Sequence, residues 1–251
     1  PIGLYSVDCY VQLDFKSASY SIISANAKNG NASSLYAIGD TKAVVLNGTV
    51  GAYQFSNKTV YMFIVAFDHN SSIEMNGEHH IVCSFAKSKL VGGKDIAFVD
   101  SHYNAYMSSP CYHMNSSNTN SGGWASSYMR QTICSQFKNA MPSDLQAVLR
   151  SRTIYTDNKS NASDVTATID TVYIPSEFEV QGSISFGNAD EYNYQQQLAY
   201  YKNGANTIRY KSDDTSEAAW WWCRSPSYDN ESFCYVDPNG ESSYDFATGS
   251  R

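Results

Sequence analysis

The 251-residue chain has no run approaching the 18 or more apolar residues of a membrane-spanning helix. The pattern of a secretion signal is missing as well. Lys and Arg number 17 against 24 Asp and Glu, for a net charge of −7, and they stand scattered rather than clustered. That balance excludes a nucleic-acid footprint. Six cysteines (Cys9, Cys83, Cys111, Cys134, Cys223, Cys234) are widely dispersed, and without a C-x-x-C pair there is no thiolate zinc or redox motif. G-x-S-x-G, the P-loop and G-x-G-x-x-G are likewise missing, so hydrolase, NTPase and dinucleotide-binding readings lack a motif. The chain starts at Pro1 rather than Met, which fits a processed or partial product.

The five histidines, His69, His79, His80, His102 and His113, form neither His-Glu-x-x-His nor His-x-His, the spacings that bring ligands onto one metal. His69, following an apolar run, is expected to hold its turn through hydrogen bonds. Asp68 with Glu74, and Asp213 with Asp214, lack the spacing of a calcium loop and read as surface carboxylates. No metal, cofactor or catalytic group is expected, and the protein reads as a non-enzyme.

What the chain does have is tyrosine. Twenty Tyr stand in a background of Ser, Asn and Gly, with only 16% charged residues. Tyr offers rigid amphipathic contact and Ser or Asn adaptable hydrogen bonding, the vocabulary of binding surfaces, although β-rich virion and extracellular proteins share the same composition. Asn-x-Ser/Thr triplets, for example at Asn31, Asn47, Asn57, Asn70, Asn115 and Asn161, arise by chance in such a background.

Along the chain, an alternating segment at 5–15 and another at 20–23 are followed by Asn26 to Ser34, a linker by its turn chemistry. The first boundary is drawn there, giving a 1–34 N-terminal segment and a 35–251 domain. Strands are expected at Ala43 to Leu46, after which Asn47-Gly48 reads as a turn, at Val60 to Phe67, and at Ile81 to Phe85. The polar loop His113 to Gly123 leads to Trp124 and a helix in which Met129, Ile133 and Phe137 share a face, ended by Pro142. Ser143 caps a second short helix that turns Leu145, Val148 and Leu149 inward. Thr168 to Ile174 alternates as a strand, Ser176 to Glu179 has capping-box spacing, and Tyr194, Leu198 and Tyr201 mark one more helical face.

Trp220-Trp221-Trp222 opens the most informative stretch. Consecutive indoles in a strand face both ways, which places this strand in the middle of a covered sheet. Phe233 to Val236, the Asp237-Pro238-Asn239-Gly240 turn and Ser242 to Phe246 complete an antiparallel meander. Arg224 is expected to stack on an aromatic ring or to pair with a buried carboxylate. Cys223 and Cys234 face each other across the meander, which admits either a disulfide or two buried thiols. Helices in the middle with strands at both ends give an α+β layout.

Ile38-Gly39-Asp40-Thr41-Lys42, Phe67-Asp68-His69-Asn70, Asn120 to Trp124 with Met129-Arg130, and Trp221-Trp222-Cys223-Arg224-Ser225-Pro226 with Phe233 and Gly240 occur in an order that resembles a bacterial and prophage domain family of unknown function with a W-W-x-R-S-P signature. The resemblance covers 35–251. It implies a C-type-lectin-like fold, similar to that of formylglycine-generating enzymes and phage tropism determinants, in phage tail, structural or bacterial surface proteins. Family members continue past Ser250-Arg251 into a further apolar strand of the G-V-x-P-A-F type, so a final strand is expected to be missing here. An open sheet edge invites a partner.

These readings converge on a phage virion component, tail or capsid-associated, that displays a host-attachment domain. A bacterial surface adhesin, a purely architectural decoration protein and a formylglycine-type enzyme are the alternatives. The expected partners are other virion subunits and a host cell-surface glycan or protein, with a homo-oligomer admitted and no membrane insertion. Binding is assigned to Tyr228, Asp229, Asn230, Glu231, Tyr244 and Asp245, because loops on a rigid scaffold carry such residues, although an ordinary hydrated loop has the same make-up. Trp124, Arg130, Trp221, Trp222, Arg224 and Phe233 are assigned to the structural core.

Overall fold

Alternating apolar residues between Thr41 and Phe67 build the first sheet. In the computed structural model, which describes residues 13–86, 88–89, 95–96, 112–158, 165–202, 204–211 and 216–249, Thr41–Val50 (β1), Tyr53–Phe67 (β2) and Ile81–Ala86 (β3) pair antiparallel in the order β1-β2-β3. Val44, Leu46 and Val50 of β1 point inward. On β2 the alternation gives way to a run, Met62 to Ala66, buried on both faces. Met62 and Ile64 join one apolar cluster while Phe63, Val65 and Ala66 join another, so β2 separates two cores.

The expected turn at Asn47-Gly48 is instead a bulge within β1, where the register to β2 shifts between Leu46 and Gly48. Asn47 Oδ1 accepts the Asn57 N–H at 2.8 Å, which fastens the bulge and lets both strands run on to a turn at Gly51-Ala52. Residues 20–35, read as an alternating segment and a linker, form the helices Tyr20–Lys28 (α1) and Ala32–Leu35 (α2). Ser19 caps α1 by accepting the Ile22 N–H, and Tyr20 and Ile23, three residues apart, face the core. That spacing fits a helix as well as a short strand. The part of the alternating 5–15 segment before Leu13 lies outside the described residues.

After Ser71–Glu74 (α3) come two two-residue strands, Ser88–Lys89 (β4) and Asp95–Ile96 (β5), and then Gly123–Ser126 (α4). Gly123, at φ 52°, packs so close to β6 (Arg152–Asp157) that a Cβ there would stand 2.1 Å from the Asp157 carbonyl oxygen. The expected helix over Met129 to Phe137 is present, but its first part, Met129–Cys134, is a π-helix that runs into Ser135–Ala140 (α5). Met129, Ile133 and Phe137 are buried as the spacing requires. Ser143–Gln146 (α6) follows, with Pro142 rather than Ser143 in the capping position and no side-chain cap. Leu145 is buried, and Val148 and Leu149 pack against the first cluster.

β6 pairs with Val165–Asp170 (β7) in a hairpin, so the strand expected to reach Ile174 stops four residues earlier. Ser176 then caps Glu177–Gln181 (α7) with both halves of the capping box in place. Instead of one helix carrying Tyr194, Leu198 and Tyr201 there are short 3-10 turns, Ala189–Tyr194, Ala199–Lys202 and Gly204–Thr207. Arg209–Tyr210 (β8) pairs parallel with β5, and Ala218–Ala219 (β9) extends that small sheet.

Trp221–Pro226 (β10), Ser232–Val236 (β11) and Ser242–Phe246 (β12) form the expected meander, in the order β10-β11-β12. The Trp strand is therefore at an edge of the sheet and not in its middle. It is covered all the same, because the Arg224 N–H donates to the Pro175 carbonyl at 2.9 Å and side chains on its two faces enter different clusters, Trp222 one and Cys223 the other. Trp220 is 42% exposed. The fold is α+β with antiparallel sheets and short helices, and no helix among the described residues is long and apolar enough to cross a membrane.

Candidate binding surface

Beneath the late loops lies a set of buried ionic groups, fixed by the start of α7. Glu179 turns back to accept the Ser176 N–H at 3.0 Å and pairs with Arg224, both side chains being fully buried. Arg224 also donates to Thr156 Oγ1 and to the Ile174 carbonyl, each at 3.0 Å, and its guanidinium lies 5.8 Å from the centre of the Tyr173 ring. It both stacks and pairs. Burial pushes the Glu179 carboxyl up, but the Arg224 charge, hydrogen bonding from His69 and Arg224 and the Arg152 charge together outweigh it and hold the group well below the usual carboxylate range. A second buried pair, Glu74 with Arg152, lies within 3.8 Å of Glu179 through Arg152.

Glu177 faces the other way. Its carboxylate accepts the N–H groups of Ser185 and Phe186 at 3.1 Å and of Gly187 at 2.8 Å, together with the Ser242 hydroxyl. One buried carboxylate thus ties the loop after α7 to β12. Glu191 receives the Ser225 hydroxyl at 2.6 Å and the Asp157 N–H at 2.8 Å, and burial pushes its carboxyl up to about 7. Cys223 and Cys234 are free thiols, and burial pushes both well above the ordinary thiol range.

The β10–β11 loop, residues 227–231, is held from inside by Asn120, which is 1% exposed. Its amide donates to the carbonyls of Ser227 (3.2 Å), Asp229 (2.7 Å) and Ser232 (2.8 Å), and its backbone N–H to the carbonyl of Asn230. Asp229 Oδ1 closes the loop by accepting the N–H groups of Glu231 and Ser232. Although burial raises the Asp229 carboxyl, those hydrogen bonds outweigh it and lower it.

On this frame sits a cluster of three rings. The Tyr228 hydroxyl donates to that of Tyr244 at 2.7 Å, the ring centres are 5.2 Å apart, and the Phe186 ring centre lies 5.1 Å from that of Tyr244. The Tyr228 N–H donates to the Phe186 carbonyl at 2.8 Å. Tyr228 is 59% exposed, and its hydrogen bond to Tyr244 raises its phenol above the ordinary range.

The six residues expected to bind are thus sorted by the fold. Tyr228 and Tyr244 come together, and Asn230 and Glu231 are exposed beside Tyr228. Asp229 turns inward as a loop cap, and Asp245 falls on the face of β12 opposite Tyr244 by strand alternation. Phe186, Asn120 and Glu177 were not read as site residues. Phe186 reaches the platform from a loop, and no local pattern marks it. Of the expected core residues, Trp124, Arg224 and Phe233 are fully buried and Trp222 nearly so, Trp221 is half-buried, and Arg130 pairs with Asp170 at 2.7 Å. The Trp124 indole N–H donates to the same Asp170 at 2.9 Å.

The remaining candidates for chemistry are built into the structure. His69 does not hold its turn. Its Nε2 faces Glu179 at 3.6 Å, and the turn is bonded by Asp68 and Asn70, which sit at positive φ and reach the His80 N–H and the Tyr194 carbonyl. Glu74, read as a surface carboxylate, is 3% exposed and paired with Arg152. His113 is buried against Tyr128. Among the described residues no group of three His, Cys, Asp or Glu side chains could hold a metal ion. Cys9, Cys111, His102, Asp213 and Asp214 lie outside the described residues.

A family model, DUF6273, described as a domain of unknown function, matches residues 93–250. The matched span contains the Trp strand and the ring platform, while the motifs at 38–42 and 67–70 precede it. No curated protein and no solved structure matches the chain.

Proposed function

Because the chain belongs to the DUF6273 family of domains of unknown function, we propose from its own surface that it is a non-enzymatic binding domain, displayed on a phage virion at the tail or capsid, which attaches to a glycan or protein of the host cell surface. The observation that carries this reading is the exposed Tyr228 ring, on a loop whose carbonyls are held by Asn120 and backed by the half-buried rings of Tyr244 and Phe186. A rigid aromatic surface with polar neighbours meets a partner at low entropic cost. Asn230 and Glu231 supply those polar neighbours.

A C-type-lectin-like architecture is part of the proposal. What supports it is the α+β mixture of antiparallel strands, short helices and a late meander whose loops carry the platform. The sealed state of the ionisable groups favours binding over catalysis: Glu177, Glu179, Glu191 and Arg224 are fully buried, and the thiols of Cys83, Cys134, Cys223 and Cys234 are all raised by burial. A nucleophile needs an accessible, activated thiolate.

The test combines immunogold labelling of purified particles and host cells with a pull-down of host envelope by the full chain and by its Tyr228→Ala, Tyr244→Ala double variant. Labelled virions, with envelope bound by the parent and not by the double variant, are expected. Labelled virions without envelope binding would leave an architectural decoration protein. Label on bacterial cells alone would leave an adhesin.

A further inference from the structure

α1, β3, the π-helix and, from the later part of the chain, Trp221 and Trp222 of β10 border a partly open cavity of about 440 Å³. It lies apart from the ring platform and shares none of its residues. Four of the six methionines, Met62, Met75, Met129 and Met141, line it, and methionine is the side chain that adapts best to irregular apolar ligands. The π-helix supplies Met129, Ile133 and Cys134 to the wall. Such a widened turn is rare in helices and is frequent at functional sites.

The charges of the lining divide into two kinds. Arg152 and Arg209, both buried, are paired with Glu74 and Asp95, so the interior offers no uncompensated charge. Lys28, His79 and Arg150 of the lining are exposed. The end of α1 abuts His79, since a Cβ at Gly30 would come within 2.9 Å of its Nε2, and Arg150 pairs with Glu78, the preceding residue. His79 and Arg150 answer Asp68 and Glu78. Lys28 has no ion pair among the described residues.

A largely apolar cavity of this volume, with a few polar groups in its lining, has the size and make-up of a small-ligand site. We propose that it is a binding site for a single-chain anionic amphiphile, whose acyl chain lies along the methionine-lined wall and whose acid group meets Lys28. This site is independent of the surface-attachment reading.

The experiment is calorimetric titration of the full chain with dodecanoate below its micellar concentration, with dodecanol as the uncharged counterpart and with phosphatidylglycerol vesicles in parallel. Saturable binding of one dodecanoate per chain is expected, lost more than tenfold in Ile133→Trp, which fills the cavity. Lys28 is exposed, so Lys28→Glu leaves the fold intact, and it is expected to weaken dodecanoate roughly fivefold while leaving dodecanol unchanged, the size of a single exposed ion pair. Binding of the free acid alone identifies a soluble cargo; vesicle binding that Ile133→Trp abolishes identifies a membrane lipid chain. No saturable heat with either dodecanoate or vesicles overturns the proposal. So does a Lys28→Glu chain that binds dodecanoate and dodecanol as the parent does.

Discussion

The two three-stranded sheets of this protein are held by different forces. β1 and β2, ten and fifteen residues long, form with the six-residue β3 a sheet whose inward residues are nearly all aliphatic or aromatic, from Val44 and Leu46 to Met62, Phe63 and Ile64. β10, β11 and β12 are five or six residues long and add to their apolar residues, such as Trp222, Phe233 and Val236, a set of buried charges and amides: Arg224 against Glu179, Ser225 against Glu191, Ser242 against Glu177, and Asn120 against the carbonyls of Ser227, Asp229 and Ser232. Apolar packing is forgiving, because neighbouring side chains can shift to fill space. A buried ion pair is not, because removing one partner strands the other in a medium that cannot solvate it. The sheet that carries the proposed binding platform is the one with the unforgiving interactions, and they hold its loops in a single geometry.

The comparison is broken most sharply by matched substitutions. Glu179→Leu leaves Arg224 buried without its carboxylate and is expected to cost about 3–5 kcal/mol, whereas Ile64→Leu at the equally buried centre of the first sheet costs less than about 1.5 kcal/mol. Urea unfolding of both variants reads the difference. Equal losses would mean that the two sheets are not held differently.

Next in size is a pH effect confined to the second sheet. The folded Glu191 carboxyl, at about 7, lies above its ordinary value of 4.5, so the fold retains a proton that the unfolded chain gives up. Its contribution is fully present below pH 4.5 and declines as pH rises to about 7, by about 3 kcal/mol in all. Glu191→Gln, which cannot ionise, is expected to remove that decline, measured as the parent-minus-variant difference in unfolding free energy across pH 4 to 8.

Asn120→Ala leaves the carbonyls of Ser227, Asp229 and Ser232 without their shared donor, at a cost of about 2 kcal/mol. It should also release the 227–231 loop, seen as faster amide exchange at Glu231 and Ser232, the two N–H groups that Asp229 caps. The smallest effect on stability is expected from Tyr228→Ala, since that ring is mostly exposed. Its thermal midpoint should match the parent while envelope binding falls. A lowered midpoint would mean that the platform is part of the core.

The sequence by itself determined the apolar sheet, the meander and the class of fold. Alternation at Val44, Leu46, Val60 and Met62, the Pro-Asn-Gly reversal after Val236, and the capping box at Ser176 are local codes that need only near neighbours to act. It also marked Tyr228 and Tyr244 as surface-forming residues. Patterns of this kind misled where two structures satisfy them, as at Tyr20 to Ile23, or where a side-chain hydrogen bond turned the expected Asn47-Gly48 turn into a bulge. Only the tertiary structure decided which carboxylates were buried, which aromatics met, and which edge the Trp strand occupied. Asn120 and the Ser232 carbonyl are 112 residues apart, and Glu179 and Arg224 are 45 apart. Such contacts leave no periodicity, because a polar side chain is drawn inside by one partner in space rather than by its neighbours along the chain.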